Sequence, residues 1–210
     1  MTVKTLVFNP FMVNTYLIFD ESKDAIIVDP ACYNPTEAAQ LKKAVDENGL
    51  NVKYIVNTHC HVDHILGVEY AKNLFECKWL AHPEELQVLE SAPSHAQMFG
   101  FSIDKIPIID KTINDGEVIL FGNSEFTVIA TPGHTPGGIC LYSANEGILI
   151  SGDTLFKGSV GRTDLEGGDY EMLMESVQKL KNLPSETIVF PGHGPSSTIG
   201  EEVKQNPFLK

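Results

Sequence analysis

Thr58-His59-Cys60-His61-Val62-Asp63-His64 places four metal-competent side chains within six positions, directly after the apolar run Tyr54-Ile55-Val56. In an extended or loop backbone His59 and His61 project to one side, while Asp63 and His64 turn towards a neighbouring position. One short segment can then serve two adjacent ions. At this chain's frequencies of His and Asp, the pattern H-x-H-x-D-H arises by accident on the order of a few times in ten thousand chains, so the match is specific. The competing reading is a set of polar residues capping the helix that follows.

Working outward, three further sites share the same local logic, each a ligand type beside glycine at the end of an apolar strand: Thr131-Pro132-Gly133-His134, Ser151-Gly152-Asp153 and Pro191-Gly192-His193-Gly194. Glycine lets the backbone turn tightly enough for a strand-end side chain to reach a shared cleft. Taken singly, a Gly-His pair is explained as well by a hydrogen-bonded structural histidine. Taken with the first segment, His134, Asp153 and His193 complete a set of seven, five imidazoles and two carboxylates. A set of nitrogen and oxygen donors suits Zn(II), Fe(II) or Mn(II), and the lack of thiolate argues against a purely structural zinc.

Around these sites the chain alternates. Strands are expected at Thr5–Phe8, Thr15–Phe19 and Ala25–Val28, then a helix capped by Asn34 with Pro35 at its first position and Gly49 just past its end. A strand at Lys53–Asn57, a helix near Ile65–Phe75 and a strand at Lys78–Ala81 extend an α/β pattern. Strand patterns return at Val118–Phe121, Glu125–Ala130, Gly138–Tyr142 and Gly147–Ile150, followed by a helix over Tyr170–Leu180 capped by Asp169 and a strand at Thr187–Phe190. The second half loosely echoes the first without repeating its sequence. Ser91–Asn114, with Pro93, Gly100 and Pro107, is the least periodic stretch and reads as a flap or linker. The whole of 1–210 is read as one domain.

The composition narrows the function. Hydrophobic residues make up 42% of the 210, enough for a substantial core, and Lys and Arg total 15 against 28 Asp and Glu, a formal charge of −13. Such a surface repels polyanions, so no nucleic-acid partner is expected. Apolar runs of about four residues fall far below the roughly 18 that span a bilayer, so no membrane partner is expected either. Cys32, Cys60, Cys77 and Cys140 are widely spaced, and Met1–Leu6 leads into no apolar leader core; a reducing cytoplasm is the expected location. The partner left is a small-molecule substrate.

The H-x-H-x-D-H, G-H, G-D-T-L-F and P-G-H-G elements stand in the order seen in the metallo-β-lactamase-fold hydrolases, and from about Leu17 onward the chain resembles their short, glyoxalase II-like (hydroxyacylglutathione hydrolase-type) branch. The resemblance implies a four-layer αβ/βα sandwich with a cleft at one edge. It implies that His59, His61 and His134 hold one divalent metal, that Asp63, His64 and His193 hold a second, and that Asp153 bridges them. Zn(II) is the expected pair, with Fe(II) or Mn(II) as alternatives. Asp29, in Ile27-Val28-Asp29-Pro30, matches an aspartate with which the family buttresses its metal loops.

The chemistry implied is hydrolysis of a thioester or ester. Two cations about 3.5–4 Å apart around one water bring its pKa from 15.7 towards about 7, and Asp63 orients the nucleophile as well as ligating. Arg162, the one arginine in the chain, offers a planar fork for a substrate carboxylate, or a loop-locking pair with Asp164 or Asp169. Classical glyoxalase II enzymes have a lysine and a tyrosine near this loop and a helical C-terminal extension, whereas here Arg162 and Asp164 occupy the loop and 17 residues follow His193. Two alternatives stand beside hydrolysis. One is a mononuclear Fe(II) persulfide dioxygenase using His59, His134 and Asp153, a family that this chain resembles at Cys60 and at Gly161-Arg162-Thr163-Asp164. The other is a non-catalytic metal-binding or sensor protein. His82, His95, Cys60 and Trp79 are read as helix entry, solvated, packing and buried strand residues.

Overall fold

The computed structural model describes residues 1–103 and 105–210. Strands β1 (Thr2–Phe8), β2 (Val13–Phe19) and β3 (Asp24–Val28) form an antiparallel meander, with Tyr16 opposite Thr5 on one side and Val28 on the other. Helix α1 (Pro35–Asn48) follows. Its Asn34 side chain accepts from the amides of Thr36 and Glu37, and Gly49 closes it at φ 60°. That crossover brings β4 (Asn51–Val56) parallel to β3. After α2 (Val62–Ile65) and α3 (Val68–Phe75), β5 (Lys78–Ala81) adds in parallel, and α4 (Leu86–Met98) leads to the short β6 (Lys111–Thr112) at the edge.

The second sheet repeats the plan. β7 (Val118–Phe121), β8 (Ser124–Ala130), β9 (Ile139–Ser143) and β10 (Ile148–Gly152) run antiparallel in sequence. A small hairpin of β11 (Leu155–Phe156) and β12 (Ser159–Val160) then precedes α5 (Tyr170–Leu180), whose cap Asp169 accepts from the amide of Met172. β13 (Ile188–Pro191) returns parallel to β10, and β14 (Ser197–Thr198) and α6 (Ile199–Gln205) complete this half.

Strand alternation divides the core into three apolar seams. Tyr16, Ile26 and Val56 of the first sheet meet Phe126, Leu141 and Ile150 of the second. Leu17, Ile27 and Trp79, on the other face of the first sheet, pack against Leu41 of α1, Val68 of α3 and Leu89 of α4. Cys140, Leu149 and Val189 pack against Leu173 and Val177 of α5. The layers are therefore helix, sheet, sheet, helix: a mixed α/β sandwich with four layers, as the resemblance implies.

The stretch read as a flap is partly a helix. Leu86–Met98 is helical despite Pro93, because Val88, Leu89, Ala92 and Ala96 form a buried stripe across that proline. The two-residue strands escape a sequence reading because they are too short to alternate. At one edge, Asp29, Thr58, Thr131, Asp153 and Gly192 all follow strand ends, and backbone bonds from Ile139 N to Thr58 O (2.9 Å) and Gly192 N to Gly152 O (2.8 Å) stitch these loops together. Among the described residues, no helix is long and apolar enough to cross a membrane.

Candidate metal centre

His59 and His61 leave the end of β4 in open backbone, and α2 then swings Asp63 and His64 the other way. His59, His61 and His134 each bring one ring nitrogen within 4.8 Å of the others, and Asp63, His64 and His193 form a second group on the same criterion. Asp153 lies between them: its Oδ2 is 3.5 Å from Nε2 of both His134 and His193, and its Oδ1 is 3.5 Å from His64 Nε2. Asp63 Oδ2 is 3.4 Å from His193 Nε2. All seven side chains read from the sequence as ligand types thus meet at one sheet edge. Asp29 stands behind them, accepting from Thr58 N (2.7 Å), Thr58 Oγ1 (2.7 Å) and His64 Nδ1 (3.0 Å).

Counting protons shows what these groups lack. A backbone carbonyl can only accept, so His134 Nδ1, 2.8 Å from Arg162 O, carries a proton, as does His193 Nδ1, 2.9 Å from Phe11 O. His64 Nδ1 donates to Asp29, and His59 Nδ1, 3.2 Å from Thr58 Oγ1, donates to a hydroxyl whose own proton is spent on Asp29. With Nδ1 carrying the proton, His59 and His134, which burial keeps neutral, present unprotonated Nε2 atoms to the space they share, and His64 and His193 turn their Nε2 atoms to the same space beside Asp63 and Asp153. His134 Nε2 faces His61 Nδ1 at 2.9 Å, and His64 Nε2 faces His193 Nε2 at 3.3 Å. His59 Nε2 and Asp153 Oδ1 are buried without any hydrogen-bond partner. Nitrogens and carboxylate oxygens so close together need a proton or a metal cation among them, and a second ring nitrogen anchored to a carbonyl or carboxylate is the usual support of a histidine ligand. The residues present fit divalent metal.

The electrostatics divide the site. Burial pushes His59 well below the ordinary imidazole range, aided by the neighbouring rings, and takes His61 down to about 3. Burial likewise lowers His134. At His64 burial opposes charge, but Asp153, Asp63 and Asp29 outweigh it and lift the group to about 10. His193 is raised against its burial by Asp63 and Asp153, while His64 and His193 hold Asp63 well below the usual carboxylate range despite burial. One side supplies neutral donors, and the other carries a negative field that attracts positive charge.

Gly192 explains how the groups approach so closely: a Cβ there would lie 2.0 Å from Asp153 Oδ1 and 2.8 Å from His64 Cε1. Other supports were not legible in the sequence. Glu85, fully buried, accepts from Cys60 N (2.6 Å) and Gly137 N (2.9 Å), tying the first histidine loop to the loop of His134. Burial raises its carboxyl, partly offset by those hydrogen bonds. The available signal was its spacing with Val88, Leu89, Ala92 and Ala96, which puts a charge on an apolar helical face. Asn9 donates to Asp63 O (2.9 Å), and Asn57 donates to the carbonyls of His59 (3.2 Å) and His64 (3.0 Å).

Arg162 lines the cleft, but its Nε and a terminal nitrogen bond the two oxygens of Asp164 at 2.7 and 2.8 Å, the loop pair that the sequence offered as an alternative. Cys60 is buried in the apolar seam and His82 caps the turn before α4. His95 departs from its reading as a solvated loop residue: it lies on α4 and lines the cleft. Trp79 is buried with its Nε1 on Asn57 Oδ1 (2.9 Å).

Comparison with known proteins agrees with this geometry. The chain is 35% identical to hydroxyacylglutathione hydrolase GloC of Haemophilus influenzae, covering 100% of this chain and 98% of that protein. It is 35% identical to the mitochondrial persulfide dioxygenase ETHE1 of Bos taurus, covering 93% and 70%. Among solved structures it matches the BLEG-1 B3 metallo-beta-lactamase with a TM-score of 0.91 at 35% identity over 100% of both chains. It also matches TTHA1623 in a di-iron-bound form, with a TM-score of 0.89 at 36% identity over 99% and 100%. The family model of the metallo-beta-lactamase superfamily matches residues 8–193, and the chain belongs to that superfamily.

Proposed function

We propose that this protein is a dinuclear metal-dependent hydrolase of thioesters or esters, of the hydroxyacylglutathione hydrolase type. The observation that carries the reading is the convergence of five imidazoles and Asp63 around Asp153, with His59 Nε2 and Asp153 Oδ1 buried without a hydrogen-bond partner. His59, His61 and His134 would hold one ion, Asp63, His64 and His193 the other, and Asp153 both. Two divalent ions so held would supply hydroxide at neutral pH.

The chain's own groups do the rest. The Asp63 carboxylate accepts a hydrogen bond from the attacking water and aims it at the carbonyl carbon. Asp29 and the carbonyls of Phe11 and Arg162 keep protons on the outer ring nitrogens, so the inner ones stay free to bind. A thiolate is a good leaving group and needs little protonation, which agrees with a site whose carboxylates are placed as acceptors rather than acids. Arg162 receives a substrate carboxylate by giving up Asp164, an exposed pair that solvent screens.

Zn(II) is the pair we assign, on the all nitrogen and oxygen donor set. The four free cysteines fit a reducing cytoplasm. The similarity to a persulfide dioxygenase keeps a second reading open, with one Fe(II) at His59, His134 and Asp153. Metal analysis of protein purified without added ions, followed by assays on thioesters and on glutathione persulfide, separates the readings. Two metals per chain with chelator-sensitive thioester hydrolysis supports the first. Oxygen uptake with persulfide and one iron per chain supports the second, and metal binding without turnover of any substrate leaves a sensor.

A further inference from the structure

The cleft above the metal-ligand residues has a volume of about 170 Å³ and is lined by Phe11 and Phe99 as well as by Arg162. Phe11 and Phe99 are 38% and 48% exposed, yet their rings meet edge to face at 5.2 Å. Phe101, which is buried, touches Phe11 at 5.6 Å between centroids and Tyr33 at 4.7 Å. It also packs on Val62, the residue between His61 and Asp63. The aromatic row is therefore rooted on the metal-ligand loop itself.

Phe11 is held from both sides. Its amide is bound by Asn9 Oδ1 (2.9 Å), and its carbonyl receives His193 Nδ1 (2.9 Å). Asn9 in turn donates to Asp63 O and Ala31 O. The backbone of Phe11 thus orients a candidate ligand while its ring faces the cleft. Half-exposed rings fixed over a polar cluster leave apolar surface uncovered, and a substrate group can cover it.

We propose that this wall selects substrates bearing an apolar arm, of the size of a phenyl ring or a chain of about four carbons or more, packed against Phe11 and Phe99. The inference rests on the hydrolase reading and narrows its substrate class to thioesters or esters that join such an arm to a polar or anionic remainder. The arm can belong to the acyl group or to the leaving thiol, and the test distinguishes the two.

Two series of thioesters would be assayed with the metal-loaded protein. One carries acetyl, butanoyl, hexanoyl and phenylacetyl groups on a single thiol, and the other carries a single acyl group on thiols of matching apolar size. A fitted methylene discriminates by about 10–200-fold, so kcat/KM should rise at least tenfold along one series. The ratio of phenyl-bearing to acetyl substrate should fall at least fivefold in Phe99→Ala and recover in part in Phe99→Leu. Calorimetry with a non-hydrolysable phenylalkyl thioether of mercaptopropionate should show binding with a negative heat-capacity change that weakens in Phe99→Ala. A flat response in both series, or a preference that Phe99→Ala leaves intact, overturns the proposal. If no thioester is turned over, the hydrolase reading fails, and the calorimetry alone decides the wall: binding lost in Phe99→Ala upholds it, and no binding to the native protein overturns it.

Discussion

The two ends of the double sheet treat buried carboxylates in opposite ways. At the end away from the cleft, Asp20 follows β2 and meets the turn between β7 and β8. It accepts from Ser22 N and Oγ, from Asn123 N (2.7 Å) and from Ser124 Oγ (2.8 Å), so its oxygens are fully engaged by neutral donors. At the cleft end Asp153 Oδ1 has no hydrogen-bond partner, and ring nitrogens face one another at 2.9 and 3.3 Å. Folded proteins rarely leave buried polar atoms unpaired. The contrast separates a latch that serves the fold from a constellation that stays incomplete until a cation arrives.

The sharpest way to break this comparison is to remove a cleft-end group. Asp63→Ala and His134→Ala should each lower turnover by about 10²–10⁴-fold while circular dichroism stays native; full activity in either, with metal content verified, would refute the assignment. Next in size is metal itself. Removing it with chelator should abolish turnover, and readdition at about 100 times Kd should raise folding stability by about 2.7 kcal/mol, read as a shift in Tm. Asp29→Asn sharpens the point, since it alters a support and not a ligand: metal affinity should fall by about 10–100-fold, measured by competition with a chromophoric chelator.

Asp20→Asn probes the other end, and should cost about 1–3 kcal/mol of stability without changing metal stoichiometry. Burial works against the charged Asp20, but the hydrogen bonds from Ser22, Ser124 and Asn123 prevail and bring it down to about 2. A carboxyl lowered on folding stabilises above the ordinary value of about 3.9 and loses that contribution as pH falls through about 2. Acid unfolding of native protein and variant should therefore diverge above pH 4 and converge near pH 2. The smallest effect is expected at Arg162→Lys, a rise in KM of less than about tenfold, because solvent screens the exposed pair that Arg162 makes.

The seven ligand types could be picked out because H-x-H-x-D-H closely follows a strand and His134, Asp153 and His193 stand beside glycines at strand ends, whereas Asp29 was picked out only through the family resemblance. Helix α1 was legible from Asn34, Pro35 and Gly49, whose cap chemistry is local. Glu85 and Asn9 were not, since the metal-loop backbone that each holds lies 25 and 54 residues away. His95 was misplaced for a related reason: Pro93 suggests a break, and only burial of Val88, Leu89, Ala92 and Ala96 against the sheet carries α4 across it.

What the sequence determined by itself was the identity of the donors and their order along the chain, because metal chemistry depends on atom type and local spacing. What only the tertiary structure decided was that Asp29, Arg162 O and Phe11 O hold the outer ring nitrogens of His64, His134 and His193. It also set an aromatic wall above them. Those are relations between side chains far apart in sequence, and they exist only once the two sheets have closed on each other.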